Sequence, residues 1–423
     1  MPVERQWLNI ALRIVAALGL LGGLYLVSTR AIAQWFFLKS SADDVRASIA
    51  WDPGQAMYYA ALARVLERSP LGGDSSEIIS LYEKATQRNP HRARYWAELG
   101  GAYELAGRAE EAQAAYEQAQ RLFPNSPEIN WQLGNFYVRR GDVLGALRAF
   151  KKVLVGDPTL RQQVFALAWR LDPGADQILA EMIPEDSEIL FQYLNYLVAN
   201  NHLEEAGTVW ARILALKLDF EPTRAFLYLD ALIRAQQVEA VMAAWKALEE
   251  RNPALITSRA FENSLITNGS FESLILNGGL DWRIVPLRGV VVRVDTTTFF
   301  DGTHSLELRF EGGQNLYYHY VFQYVPVKPN TLYRFMGYMR TQGITTDSGP
   351  RFQLLDASDP SKLYLSTENL VGTCSWQPEQ LEFQTGPETR LLIVRVARPQ
   401  STKFDNQIEG SVWIDRISLT PGE

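Results

Sequence analysis

The sequence predicts a multidomain chain of class α plus β: an N-terminal transmembrane helix, an α-solenoid of stacked helical hairpins, and a C-terminal antiparallel β-sandwich of jelly-roll type. Three observations predict it. Residues Trp7 to Val27 form an apolar run broken in its first half by Arg13. A pattern of large and small residues then recurs at a period of 34 from about Ser41 to Pro253. After Pro253, helical periodicity gives way to alternation punctuated by turn signals. The boundaries that follow are 1–40, 41–255 and 256–423.

The 423 residues are 47% hydrophobic and 21% charged, fractions of an ordinary globular chain. The net charge is −7, so no basic excess is available to neutralise phosphates, which argues against nucleic acid as a partner. One cysteine, Cys374, permits neither an intramolecular disulfide nor a thiolate zinc site.

The N-terminal run spans 21 residues, close to the roughly 20 that cross a bilayer as a helix. Its uninterrupted part, Ile14 to Val27, also has the length of a signal-peptide core, and Ala31-Ile32-Ala33 behind it is a small-x-small cleavage pattern. Two outcomes stay open: a retained single-pass anchor, or secretion after cleavage near Ala33. Arg30 before the cleavage pattern and the aromatic Trp35-Phe36-Phe37 after it favour retention. With the N-terminus inside, either outcome carries the bulk of the chain across a bacterial inner membrane to the periplasmic side.

The repeat is clearest over Ala93–Ser126, which carries Trp96, Leu99, Gly100, Tyr103, Ala112, Tyr116, Ala119 and Pro124. Shifted by 34, the positions recur as Leu133, Gly134, Tyr137, Ala146, Phe150, Val153 and Pro158; shifted back, as Tyr82, Ala85 and Pro90. The preceding helix matches after an insertion around Leu71-Gly72-Gly73. Large residues at i, i+3 and i+7 place one apolar stripe on the first helix. Gly100 and Ala112 are small where helices approach, Tyr116 fills the gap, and Pro124 ends the hairpin. Each hairpin leaves an apolar face that only a neighbour can bury. Fainter copies follow at Leu190–Trp210 and Leu227–Ala247, with a compressed helix pair over Arg161–Asp186 split at Asp172-Pro173-Gly174.

This spacing resembles the tetratricopeptide repeat family. The resemblance implies a concave groove, lined by the first helix of each repeat, that takes a protein or peptide partner. Carried over by position, the groove includes Arg94, Ala97, Glu104, Trp131, Asn135, Val138 and Arg139.

In the C-terminal region, alternation predicts strands at 290–295, 304–310, 317–327, 332–341, 352–356, 381–385, 391–397 and 412–419. Asn277-Gly278-Gly279, Asp301-Gly302, Glu311-Gly312-Gly313, Lys328-Pro329-Asn330 and Ser348-Gly349-Pro350 separate them. Many short strands at regular spacing point to a sandwich or jelly roll. Asn268-Gly269-Ser270-Phe271-Glu272, Asp301–Leu306, Val327–Tyr333 and Trp413–Leu419, in that order, resemble the galactose-binding-like sandwich of family 4/9-type carbohydrate-binding modules. The resemblance implies a structural calcium held by Glu272 and Asp415, although Arg416 stands where a second acidic residue is frequent.

Sugar binding needs exposed aromatic faces. Trp282, Tyr317, Tyr318, Tyr320 and Trp376 are the candidates, with Tyr324 beyond them. Tyr318, Tyr320, Phe322 and Tyr324 alternate, so the spacing predicts four rings on one sheet face, either as core or as a sugar platform.

No feature of the sequence supports catalysis. The four histidines show no HExxH spacing, and neither a G-x-S-x-G elbow nor a P-loop is present. Nothing selects Asp356 with Asp359, or Glu379 with Glu382, as a glycosidase pair. The reading is therefore a non-catalytic scaffold of the bacterial cell envelope that binds a protein partner and a polysaccharide. Its layout resembles accessory proteins of exopolysaccharide or surface-glycan production. A purely protein-binding scaffold and a glycan-active enzyme with an unrecognised site are the alternatives.

Overall fold

The structure, a computed structural model, describes residues 2–69, 73–252 and 263–422. Leu71 and Gly72 of the expected insertion, and the expected boundary at 255/256, lie outside the described residues. The chain has the predicted fold class: a long apolar helix, an array of helical hairpins, and two antiparallel sheets. It divides into two compact units, Met1–Ile189 and Leu190–Glu423.

The first unit opens with α1 (Pro2–Phe37), and its stretch Leu12–Phe37 is long and apolar enough to cross a membrane. Side chains from Leu12 to Val27 stand exposed. At its C-terminal end Ala33 is fully buried in the core of the first repeats, and Phe37 packs on Tyr58 with ring centroids 5.1 Å apart. Phe37 therefore joins the repeat core, while Trp35 remains exposed with the Lys39 ammonium 3.6 Å over its ring.

The hairpins follow as α2 (Ala42–Trp51), α3 (Ala56–Glu67), α4 (Ser75–Arg88), α5 (Ala93–Leu105), α6 (Ala109–Leu122), α7 (Pro127–Arg140) and α8 (Val143–Gly156). Their starts are capped as short polar side chains dictate: Ser41, Asp74, Ser126 and Asp142 each accept a backbone N–H from the first turn. Pro127 follows Ser126 at the helix start, and Gly141 closes α7 in the left-handed region (φ 73°). A Cβ on Gly100 would lie 2.9 Å from the Tyr116 ring, and one on Gly134 would lie 2.5 Å from Phe150. The expected pairing of a small residue with a ring is thus a close helix contact. After a 3-10 turn, α9 (Arg161–Arg170) and α10 (Ala175–Glu181) form the compressed pair, separated at Asp172 (φ 50°) and Gly174 (φ 90°).

The second unit takes in most of α11 (Ser187–Ala199), then α12 (Leu203–Ala215), α13 (Phe226–Arg234), α14 (Val238–Arg251) and the sandwich. The strands are β1 (Arg283–Ile284), β2 (Val290–Asp295), β3 (Ser305–Glu311), β4 (Tyr318–Pro326), β5 (Leu332–Ile344), β6 (Arg351–Asp356), β7 (Tyr364–Ser366), β8 (Gly372–Gln384), β9 (Leu391–Arg398) and β10 (Glu409–Pro421). One sheet runs β1-β4-β9-β6-β7 and the other β2-β3-β10-β5-β8. Between them lies a core of Leu306, Leu308, Phe310, Val321, Phe335, Phe352, Val394, Ile414 and their neighbours. The helices pack on the sandwich through the turn at Gly278-Gly279. Gly279 has φ 58°, and a Cβ there would lie 2.4 Å from the Trp245 ring. Beside it the Arg283 guanidinium donates to Asp230 at 3.1 Å and to the Gly279 carbonyl at 3.0 Å.

Candidate functional site

Two surfaces, one in each unit, are the candidates for binding. In the first unit, a trough crosses the first helices of successive repeats. One cavity of about 460 Å³ is lined by His91, Arg94, Ala97, Glu98, Phe123, Glu128 and Gln132. A second, of about 480 Å³, is lined by Glu67, Ile78, Tyr82, Ala97, Glu98, Gly101, Leu105 and Gln132. The two share Ala97, Glu98 and Gln132.

Charge is organised along this trough. Glu98 accepts from Arg64 at 2.8 and 2.9 Å and from Arg94 at 2.9 Å, so one carboxylate ties two helices. Glu104 is paired with Arg139 of the next repeat and also accepts from the Tyr116 hydroxyl at 3.2 Å. Tyr82 lies beneath with its hydroxyl on Glu67 at 3.0 Å. Burial, the negative charges of Glu67 and Glu98 and that hydrogen bond all push the Tyr82 phenol up, so it stays neutral.

Of the expected groove residues, Arg94 and Ala97 line the trough, and Glu104 and Arg139 form the ion pair just described. Asn135 donates to the Trp131 carbonyl at 2.8 Å, and Val138 is half-buried. Trp131 is a correction: its ring turns towards Phe150 of its own hairpin at 5.7 Å and lines neither cavity. Glu98 and Gln132 line both cavities beside Ala97. They are spaced by the repeat period, one position further on than Ala97 and Trp131. On α7 one residue, about 100° around the helix, separates Gln132 in the trough from Trp131 against Phe150.

In the second unit, the outer face of the β1-β4-β9-β6-β7 sheet is the notable surface. Cross-strand pairing puts Arg283, Phe322, Arg395, Gln353 and Ser366 in one row. Tyr324, Ile393, Leu355 and Tyr364 form the next. Arg351 lies one row the other way, opposite Ala397. The partners of opposite parity, Val321, Val325, Leu354, Val394 and Val396, enter the core. Phe322 and Tyr324 meet edge to face at 5.6 Å, and the Tyr317, His319 and Tyr320 rings continue from the start of β4. Burial, helped by the nearby Arg395 charge, pushes the His319 imidazole down, so it is neutral at pH 7.

The five sugar-binding candidates do not converge. Trp282 and Tyr318 are corrections: both are fully buried core residues, and the Trp282 indole donates to the Asn268 carbonyl at 3.1 Å. A register shift between Tyr318 and Val321 explains why the predicted four-ring stripe breaks. The bulge returns Tyr318 to the core side while Phe322 and Tyr324 face out. Tyr317 is exposed and Tyr320 half-buried. Trp376 belongs to the other sheet, 5.9 Å from Phe300, which itself stacks on Tyr338 at 3.7 Å.

Glu272 and Asp415 both hold the loop after β2. Glu272 accepts from the Thr303 N–H and hydroxyl at 2.6 and 2.7 Å, and from the His304 N–H at 2.9 Å; its other oxygen lies 2.9 Å from the His304 Nδ1. Burial pushes its carboxyl up, but these donors outweigh it and hold it at about 2. Asp415 accepts from the Phe300, Asp301 and Arg416 N–H groups. Burial wins there and pushes the carboxyl up to about 6. Calcium takes six to eight oxygens, whereas both carboxylates are ringed by N–H donors with His304 and Arg416 adjacent. Among the described residues no three His, Cys, Asp or Glu side chains converge. This donor set does not fit the cation. The carboxylates imagined as a glycosidase pair hold local structure instead: Asp356 accepts from the N–H groups of Ser358 and Asp359, and Glu382 pairs with Arg334.

Residues 72–129 and 106–160 match two family models, each described as a tetratricopeptide repeat, so the hairpins α4–α8 are tetratricopeptide repeats. No curated protein sequence matches the chain. Among solved structures, MamA is 19% identical over 32% of this chain and 79% of its own, with a TM-score of 0.28. A family 16 carbohydrate-binding module is 22% identical over 37% of this chain and 99% of its own, at 0.25. A CBM4 structure is 12% identical over the same shares, at 0.27. Likenesses this distant identify neither ligand nor partner.

Proposed function

We propose that the protein is a membrane-anchored, non-catalytic scaffold of a bacterial cell envelope, in which the repeat trough binds a protein segment and the sandwich binds a glycan. The observation that carries this reading is the trough centred on Ala97, Glu98 and Gln132: it is open, polar at its walls and lined by successive repeats. Exposed Leu105 and Phe123 beside it offer apolar anchors to a bound peptide. The anchor is supported by the exposed Leu12–Val27 side chains, which water would not cover favourably. The glycan is supported by the rings on the outer face of β4. A role in exopolysaccharide or surface-glycan assembly on the periplasmic side rests on the layout alone.

The test is site-specific photocrosslinking from position 132 in intact cells. A discrete protein adduct that disappears with Glu98→Arg is the expected result. A folded, membrane-associated protein that yields no adduct sinks the partner-binding reading. The alternative, a scaffold without a sugar ligand, is favoured by the burial of Trp282 and Tyr318. Affinity electrophoresis against a polysaccharide panel separates the two.

A further inference from the structure

We propose that the glycan taken by the outer face of the β1-β4-β9-β6-β7 sheet is acidic, a polysaccharide carrying carboxylate groups, with Arg395 and Arg351 as its anion-reading residues; this rests on the glycan reading above. The argument is one of charge left over. Arg395 stands between Phe322 on one neighbouring strand and Gln353 on the other. Its Nε and Nη2 both donate to the Gln353 amide oxygen, at 3.0 and 2.8 Å. That partner is neutral and only 2% exposed, so it fixes the guanidinium plane without cancelling its charge.

Arg351 lies one row along on the adjacent strand and is also half-buried. Its Nε is buried with no hydrogen-bond partner, and Glu368, the acidic group whose charge reaches it, is exposed and makes no ion pair with it. Burial pushes this guanidinium down, the sign of a cation held without full compensation. By contrast Arg283, in the same row as Arg395, is neutralised by Asp230. In a chain of net charge −7, two partly desolvated guanidiniums without a carboxylate partner are a costly arrangement for stability alone. A carboxylate-bearing pyranose chain answers both features. Phe322 and Tyr324 present rings to apolar sugar faces, and a carboxylate accepts from the Arg395 N–H groups not given to Gln353. A neutral glycan would use the rings and leave the guanidiniums unanswered.

The experiment uses the full-length protein in lipid nanodiscs, titrated calorimetrically with oligosaccharides of polygalacturonate, alginate and hyaluronate, and with the carboxyl-reduced form of each. The expected result is at least tenfold tighter binding to one acidic form than to its reduced counterpart, weakened severalfold between 50 and 500 mM NaCl. Arg395→Gln and Arg351→Gln should each lose at least fivefold on the acidic ligand and under twofold on the reduced one. Phe322→Ala should weaken both. Circular dichroism and melting establish that each variant is folded, and the reduced ligand makes the comparison independent of any variant. Equal affinity for acidic and reduced forms overturns the acidic assignment and leaves the glycan reading standing. Failure of the folded protein to bind any of the six overturns both.

Discussion

Gly134 sits where one helix of a hairpin, α7, leans on a ring of the other, α8, and the two effects of changing it oppose each other. Alanine is a better helix former by about 1 kcal/mol. Its Cβ, however, would stand 2.5 Å from the Phe150 ring, which is fully buried and has no room to yield. Overpacking of this kind costs typically about 1–3 kcal/mol, so Gly134→Ala should lower the melting temperature of the repeats. An unchanged or raised value would mean that Phe150 relaxes. Two buried carboxyls set a pH dependence in the sandwich. Burial pushes Asp281 and Asp415 each up to about 6, and one Asp281 oxygen is buried without a partner. A carboxyl with a raised folded pKa binds its proton more tightly when folded. The folded state therefore gains stability as pH falls from about 6 towards the unfolded value near 3.9, and loses it as pH rises through 6. Glu272 acts oppositely: held at about 2, its contribution is complete above about 4.3 and is lost as pH falls towards 2. The sandwich should thus melt at a higher temperature at pH 5 than at pH 8. Asp415→Asn should reduce that difference, and a flat profile in the unmodified protein would refute it.

At the scale of elements, the loop after β2 is closed by two carboxylates acting on its backbone N–H groups, Glu272 at Thr303 and His304 and Asp415 at Phe300 and Asp301. A cation would have to displace those donors. Adding millimolar calcium, or chelator, should leave the melting temperature of the sandwich within about 1 °C; a rise of several degrees with calcium would show a site that the donor geometry does not provide. Elements with a strong apolar rhythm were legible in the sequence, and those without it were not. The helices α5–α8 and the strand β2 stand where their spacing predicts them. The 372–380 half of β8 was missed because it lies on a sheet edge, carries Pro378, and alternates between exposed and half-buried residues with no apolar face to read. The two-residue β1 and three-residue β7 are too short to show a period. The site was less legible than the fold. Repeat spacing gives which helix faces the trough, but on α7 a single residue separates Trp131, against Phe150, from Gln132 in the trough. Alternation likewise gives no warning of the bulge that divides Tyr318 from Phe322 and Tyr324.

Across the whole chain, the N-terminal helix is both the apolar segment and a structural part of the repeats. Its exposed portion ends near Val27, and within three turns Ala33 and Phe37 are packed in the core of the hairpins. Arg30 lies 3.8 Å from Asp52 and Gln34 accepts from the Tyr58 hydroxyl at 3.5 Å, so polar contacts fix the same docking. Cleavage at the Ala31-Ile32-Ala33 pattern would remove Ala33 from the core and free Phe37 from its helix. The pattern lies within a continuous helix, whereas a protease needs an extended segment to enter its site. Retention is therefore the expected outcome. Mass spectrometry of the protein from membranes should find peptides spanning residues 30–40, and the protein should resist extraction by carbonate or high salt. Ala33→Glu, which would place a charge in that contact without altering the exposed apolar stretch, should lower the melting temperature of the repeats by several degrees while leaving the protein in the membrane fraction. A soluble form beginning at Gln34, with unchanged repeat stability, would instead show that the helix serves only for export and that its docking on Tyr58 contributes little.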